Sequence, residues 1–395
     1  MPKKRNNALV MQSGGSTAVM NCSLFGFVDE MARSDCVGEV LGARSGLDGL
    51  LSSRLLSLSG YGKARWSRIA RSPGAALGSS RRRLRTDDVP ALGRVLADHG
   101  IRYLSIIGGN DSADTGHRLS VDMRSAGAPL NVVNVPKTID NDLVHTDHTP
   151  GYGSAARFIA LAAMGAGRDA EAMGAAAPIT VIEVMGRDAG WLAASSALAR
   201  REERDAPHAI CVPEVPVDEG KFLDVLEDAH RRFGFAVAVV AENARGADGV
   251  LGGEQEPWYV DDFGHAYYEG AGRHLAALAG RRLNVRVRYE RPGTIQRSMA
   301  ACVSGADARE AEMAGRAAAR HALDGTDDKM VTLVRKPGGK YDCGTGLAPL
   351  GEVAGQVRTM PAEYLDPAGY SVTGAFLDYA RPLIGAPLPR FGRVG

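Results

Sequence analysis

The chain has 395 residues, of which 45% are hydrophobic and 24% charged, and its net charge is +1. That length accommodates two domains with a sizeable core, and the composition is that of a soluble globular protein. Near-neutral charge argues against a nucleic-acid surface, the lack of an apolar run of spanning length argues against a membrane protein, and five scattered cysteines without CxxC spacing argue against a disulfide framework or a zinc site.

The basic start Pro2-Lys3-Lys4-Arg5 reads as a solvated end with no signal-like apolar segment after it, so a cytoplasmic location is expected. Residues 7–12 read as a strand that runs into Ser13-Gly14-Gly15-Ser16, with a helical pattern over 17–33 and a second strand at 37–43. Leu77-Gly78-Ser79-Ser80-Arg81 reads as a loop free to fold over an anion. A helix is predicted at 89–99. The strand at 101–107 then ends in Gly108-Gly109-Asn110-Asp111, and a helix begins near Ser112. Next comes an apolar run at 130–135, which Pro136 terminates, followed by Lys137-Thr138-Ile139-Asp140-Asn141-Asp142. Helices at 154–173, 190–200, 221–233, 270–278 and 306–323 alternate with strands at 179–184, 209–212, 236–240 and 285–289. This alternation predicts an α/β fold with a parallel sheet and helices on both faces. From about residue 338 the chain is rich in Gly and Pro.

The polar groups after these strands emerge at strand C-terminal ends, where open α/β sheets bind ligands. Lys137 beside Asp140 suits phosphoryl transfer: the cation neutralises the moving phosphoryl group while the carboxylate accepts the proton of the attacking hydroxyl. Taken alone, the stretch from Val135 to Asp142 fits a surface ion pair equally well. The two glycine turns break the tie. Paired glycines admit a phosphate to the backbone, and a helix start offers free N–H groups.

With these residues in view, the chain resembles the phosphofructokinase family, A type. Thr138-Ile139-Asp140-Asn141-Asp142 matches the family's catalytic loop, Met185-Gly186-Arg187 its MGR motif and Ile295-Gln296-Arg297 its IQR motif. Gln12-Ser13-Gly14-Gly15 matches the first glycine loop, and Leu77 to Arg81 its LGSxR segment. All lie in family order across roughly 7–335. The resemblance implies two Rossmann-like three-layer α/β domains with mostly parallel sheets and the active site in the cleft between them. Residues 1–150 with about 297–337 would form a phosphoryl-donor domain and 151–296 a sugar-phosphate domain, leaving 338–395 as an extension.

The implied reaction is reversible transfer of a phosphoryl group to the C1 hydroxyl of fructose 6-phosphate. Members use ATP or pyrophosphate. ATP users generally carry glycine in place of Asp111 and of Lys137, so this chain is expected to use pyrophosphate. Asp111 would repel an α-phosphate, and Lys137 would fill its space and steady the leaving phosphate. A helix cap is the plainer role for Asp111. The resemblance makes Asp140 the base, and Gly14, Gly15, Arg81 and Ser112 donor contacts. Thr138, Ile139, Met185, Gly186, Arg187, Glu242, Arg288, Thr294 and Arg297 become sugar-phosphate contacts, with Arg286 in reserve. Arginine suits the 6-phosphate because its fork binds bidentately.

Three departures from the family stand out. Asn110 replaces an aspartate tied to Mg2+, leaving Asp142 or Asp140 and pyrophosphate itself to hold the metal. Thr294 replaces a histidine, which points to a roomier sugar site that also takes sedoheptulose 7-phosphate. Pro178 replaces an arginine that many members lend to a neighbouring subunit, which puts the usual tetramer in question and leaves a homodimer or homotetramer. His145 and His148 read as structural. The rival readings are an ATP-dependent kinase of the same fold and a non-catalytic regulatory subunit. A NAD-binding protein is weaker, since no GxGxxG follows the first strand.

Overall fold

The computed structural model describes residues 6–394 other than 129, 254–256, 258, 261–263, 265, 268–269 and 368. The apolar run of β1 (Asn6–Gln12) lies in the interior of a seven-stranded sheet. β1 pairs in parallel with β2 (Val37–Ala43) on one side, and β2 carries the short antiparallel edge strand β3 (Leu55–Ser57). On the other side of β1 come β4 (Ile101–Gly108) and β5 (Asn131–Pro136), both parallel. These central strands are buried on both faces, which is why they read as continuous apolar runs rather than alternating ones.

A second sheet of four parallel strands starts with β6 (Ile179–Val184), β7 (Ala209–Cys211) and β8 (Ala236–Ala241). Two small antiparallel ribbons follow in sequence. β9 (Arg245–Gly246) pairs with β10 (Gly249–Val250), and β11 (Tyr259–Val260) with β12 (Ala266–Tyr267). β13 (Val287–Glu290) then joins the second sheet beside β6. The chain finally returns to the first sheet. β14 (Lys329–Arg335) lies parallel to β5, and β15 (Cys343–Pro349) pairs antiparallel with β14 along its whole length.

Each sheet is the middle of three layers. Helices Met20–Ala32 and Gly305–Leu323 cover one face of the first sheet, and Gly46–Leu51, Val89–Asp98 and Asn110–Ser125 cover the other. The first pair crosses closely. A Cβ at Gly26 would meet the Glu312 carbonyl at 2.2 Å, and one at Gly315 the Ser23 carbonyl at 2.1 Å, so only glycine permits this backbone approach. The second sheet lies between Glu219–Phe233 with Ala271–Leu283 on one face and Tyr152–Met173 on the other. No helix among the described residues is long and apolar enough to cross a membrane.

Element positions differ from the sequence reading in instructive ways. The first helix starts at Met20 rather than 17, because Ser16 and Thr17 stay in the loop that faces the cleft. The stretch 190–200 is a short helix, Trp191–Ser195, continued by a 3-10 turn. Strands β14 and β15 were not anticipated. The segment 338–395, expected as an extension, is divided between the layers: β15 completes the first sheet, and Phe376, Tyr379 and Ala380 of helix Gly374–Ala380 join the core against Trp191.

Candidate active site

Sheet order decides where the site forms. From β1 the chain leads to β2 on one side and later to β4 on the other, so a crevice opens at the carboxyl ends of β1 and β4. Register brings three loops to that crevice together. Gln12 is level with Ile107, Ile107 with Val135, and Gly108 with Pro136. Gly14, Gly109 and Lys137 therefore leave the sheet side by side. The Lys137 N–H donates to the Gly108 carbonyl at 3.0 Å. Opposite them stand the ends of β6 and β8, which carry Met185-Gly186-Arg187 and Glu242.

The result is one cleft of about 310 Å3 between the two sheets. Its walls hold the donor-side candidates Gly14, Gly15, Arg81, Asn110, Asp111 and Ser112, the loop residues Lys137, Thr138, Ile139, Asp140 and Asp142, and the sugar-side candidates Met185, Arg187, Glu242, Thr294 and Arg297. Ser16, Thr17, Asp188 and Ala189 line it too and were not singled out from sequence.

Three expected contacts are not offered to this cleft. Arg288 does not reach the cleft: it lies on edge strand β13, pairs with Asp169 of helix Tyr152–Met173, and so belongs to the flank. Gly14 does not offer its N–H to a ligand, because that N–H donates to the Ser80 carbonyl at 3.0 Å. Gly186, at φ 131°, lies behind the wall, and its N–H donates to the Glu242 carboxylate.

The glycine loop is shaped by its cationic neighbours. A Cβ on Gly14 would come within 3.3 Å of the Lys137 Nζ, and one on Gly15 within 2.6 Å of an Arg297 guanidinium nitrogen. Lys137 is 3% exposed. Burial, and then repulsion from Arg297, lowers its amine to about 8, despite the pull of Asp140 and Asp142.

Asp140 is held above the usual carboxylate range, first by burial and then by Glu242. Its Oδ1 is buried with no hydrogen-bond donor among the described residues. Asp142 is also raised, by burial and then by Asp140, although the Thr138 hydroxyl donates to it. Asp142, crowded and raised, is an oxygen donor of the kind a hard divalent cation would satisfy. Asn110 contributes less, since its carbonyl oxygen already accepts the Asp111 N–H at 2.9 Å.

The loop from Thr138 to Gly151 is fixed from below. Asn141 sits at φ 57° with its side chain buried. Its Oδ1 accepts the Thr149 N–H at 3.0 Å, and its amide donates to the Tyr379 hydroxyl at 2.8 Å. Arg358 donates to the carbonyls of Asn141, Thr146 and Asp147 at 2.5–3.1 Å and stacks on Trp191. His148 lies between Asp147 and Glu310, 2.8 Å from each, which ties the loop to helix Gly305–Leu323. On the sugar side, buried Gln296 of the IQR motif accepts from the Met185 N–H at 3.1 Å and so joins the MGR and IQR turns. Arg358 and Tyr379 were invisible from sequence because they act through backbone carbonyls and lie in a segment without a motif.

The comparisons agree with this architecture. Residues 7–321 match the family model described as Phosphofructokinase. The pyrophosphate–fructose 6-phosphate 1-phosphotransferase of Rhodospirillum rubrum is 36% identical over 391 residues, covering 98% of this chain and 96% of that protein. The enzyme of the same name from Xanthomonas campestris pv. campestris is 36% identical over 393 residues, covering 97% of this chain and 92% of its own. The crystal structure of pyrophosphate-dependent phosphofructokinase from Nitrosospira multiformis superposes with a TM-score of 0.89 at 32% identity, covering 98% of this chain and 94% of that one. With two three-layer αβα units, a cleft between them, a family model matched over residues 7–321 and relatives matched over nearly their whole length, the chain belongs to the phosphofructokinase family.

Proposed function

We propose that this chain transfers a phosphoryl group reversibly from pyrophosphate to the C1 hydroxyl of fructose 6-phosphate, giving fructose 1,6-bisphosphate and phosphate. The relatives' names point to this pair of substrates. The observation that carries the donor choice is Lys137, a buried amine packed against the glycine loop where ATP users have glycine, with Asp111 in the first turn of helix Asn110–Ser125 across the same cleft. The carboxylate of Asp111 disfavours a third phosphate by charge and by space, and pyrophosphate has none to place there. Lys137 and Arg81 neutralise the two phosphates that remain.

Asp140 serves as the base. Its orphaned Oδ1 accepts the C1 hydroxyl proton as that oxygen attacks phosphorus, and its raised affinity for protons suits it to the task near neutrality. Arg187, Glu242, Thr294 and Arg297 hold the sugar phosphate, with Arg297 on the 6-phosphate. Family members use a divalent metal. In this chain Mg2+ would be held by Asp142 with pyrophosphate, and it would screen the donor's charge. A family ATP-dependent kinase remains the alternative. Steady-state rates with purified protein, fructose 6-phosphate, Mg2+ and either donor decide between them: turnover with pyrophosphate should far exceed that with ATP, and equal or greater turnover with ATP would sink the proposal.

A further inference from the structure

Beneath the sugar side of the cleft lies a buried carboxylate that the reaction itself does not use. Glu183, the penultimate residue of β6, has a fully buried side chain. Its Oε2 accepts the Gly272 N–H at 2.9 Å, so helix Ala271–Leu283 begins on this carboxylate. The fit is close: a Cβ on Gly270, at φ 101°, would lie 2.2 Å from the same oxygen. Such a charge needs a cation. Arg291, in the loop after β13, supplies it with Nε 3.0 Å from Glu183 Oε1.

The same guanidinium continues toward the cleft, where its Nη2 lies 3.6 Å from Glu242 Oε2. Glu242 lines the cleft and is anchored through its backbone, with its N–H on the Val184 carbonyl at 2.9 Å. Arg291, half-exposed itself, therefore spans the two acids as an ion-paired bridge. One end is fixed on a fully buried acid, and the other presents a positive charge to the residue that would contact sugar hydroxyls.

We infer that Arg291 is a positioning residue for the sugar-phosphate site: braced on Glu183, it holds the Glu242 carboxylate ionised and turned toward the acceptor sugar. This rests on the reading of Glu242 as a sugar contact. The charged groups facing Glu242 are Arg291 and Arg187 on the favourable side and Glu183 and Asp140 on the unfavourable side, with the Gly186 N–H as a neutral donor. Burial already pushes the Glu242 carboxyl upward, and loss of Arg291 removes the first opposing influence. Arg291 touches no reacting atom and acts only through Glu242.

The test combines binding and kinetics on the full chain. The variants are Arg291→Gln, Arg291→Lys and the double variant Glu183→Gln/Arg291→Gln, which also removes the buried charge that could unfold the single variant. Fructose 6-phosphate binding is followed by calorimetry across the pH range, and KM and kcat for both substrates are measured in parallel. Both Gln-containing proteins should bind the sugar about tenfold more weakly near neutrality. The deficit should grow toward acid pH, KM for pyrophosphate should stay within about twofold, and Arg291→Lys should recover most of the loss. Sugar affinity that stays at the wild-type level at every pH in folded variants would overturn the inference. So would a loss shared equally by pyrophosphate and independent of pH, since that is the mark of a merely structural role. Wild-type protein that binds the sugar with this Arg291 dependence but fails to phosphorylate it would refute the proposed reaction alone. Wild-type protein that binds no fructose 6-phosphate would overturn both.

Discussion

Replacing Gly15 by alanine separates stability from catalysis in a way few substitutions can. The added methyl would lie 2.6 Å from the Arg297 guanidinium, whereas ordinary contact begins at 3.4 Å, so the guanidinium must withdraw by about 0.8 Å. It is the far end of a flexible side chain, and the fold yields there at little cost. The Gly15 backbone carries no positive φ, so alanine is locally tolerated, and the smaller entropy of the unfolded chain is worth about 0.4–1 kcal/mol in its favour. The melting temperature should therefore hold or rise slightly. Catalysis should not hold, since a misplacement on the order of 1 Å in a substrate-positioning group costs about 10²-fold. Thermal denaturation followed by circular dichroism, together with kcat/KM measured separately for fructose 6-phosphate and pyrophosphate, reads both effects. A 10- to 100-fold fall for the sugar at unchanged stability is expected. Unchanged kcat/KM would refute the stated contact with Arg297. A clear drop in melting temperature would show that the loop, not the guanidinium, takes up the strain.

Four further outcomes follow from the same geometry. Asp140→Asn should keep its fold and its affinity for sugar phosphate while turnover falls by roughly 10²–10⁴-fold, and near-normal turnover would remove Asp140 from the chemistry. Because Asp140 must be ionised to act and its carboxyl is raised, turnover should climb with pH through a value above the ordinary carboxylate range; because Lys137 must be charged and lies near 8, KM for pyrophosphate should rise as pH passes about 8, and a flat profile on either limb would contradict these assignments. Arg358→Ala strips the donors from three loop carbonyls and should cost about 3 kcal/mol in denaturant unfolding, with turnover reduced as well; a loss under roughly 1 kcal/mol would mean that Arg358 does not fasten the loop. With Thr294 exposed at the cleft wall in place of the family's histidine, sedoheptulose 7-phosphate should be phosphorylated at a measurable rate, and none detected in side-by-side kinetics would show that the site is not relaxed there.

The sequence spoke clearly where local chemistry and local structure coincide. β4 and β5 are apolar runs that end in glycine and proline, and β1 runs into Ser13-Gly14-Gly15, so both the strands and the loops after them could be placed from one pattern. It was silent where partners are distant. β15 reads Cys-Gly-Thr-Gly-Leu-Ala-Pro, with no strand periodicity, and is a strand only because β14 offers it an edge. Arg288 shows a different limit. The family resemblance gives its place in the chain, but not which way a side chain leaves an edge strand, and Asp169 holds it on the flank. Gly14 shows a subtler limit: the glycine was right, yet the Ser80 carbonyl, over sixty residues away, had claimed the N–H.

The fastening of the loop from Thr138 to Gly151 also sets an order of events during synthesis. Gly14, Asp111, Lys137 and Asp140 all leave the ribosome within the first 140 residues, together with the central strands that carry them. β14, β15, Arg358 and Tyr379, which close the first sheet and hold the loop from below, arrive only between residues 329 and 379. A nascent chain thus displays these candidate site groups long before it can aim them. Competence comes late and at once, when the last segment crosses back over both layers, and a chain halted near residue 340 would carry every reacting group of the proposed mechanism without being a catalyst.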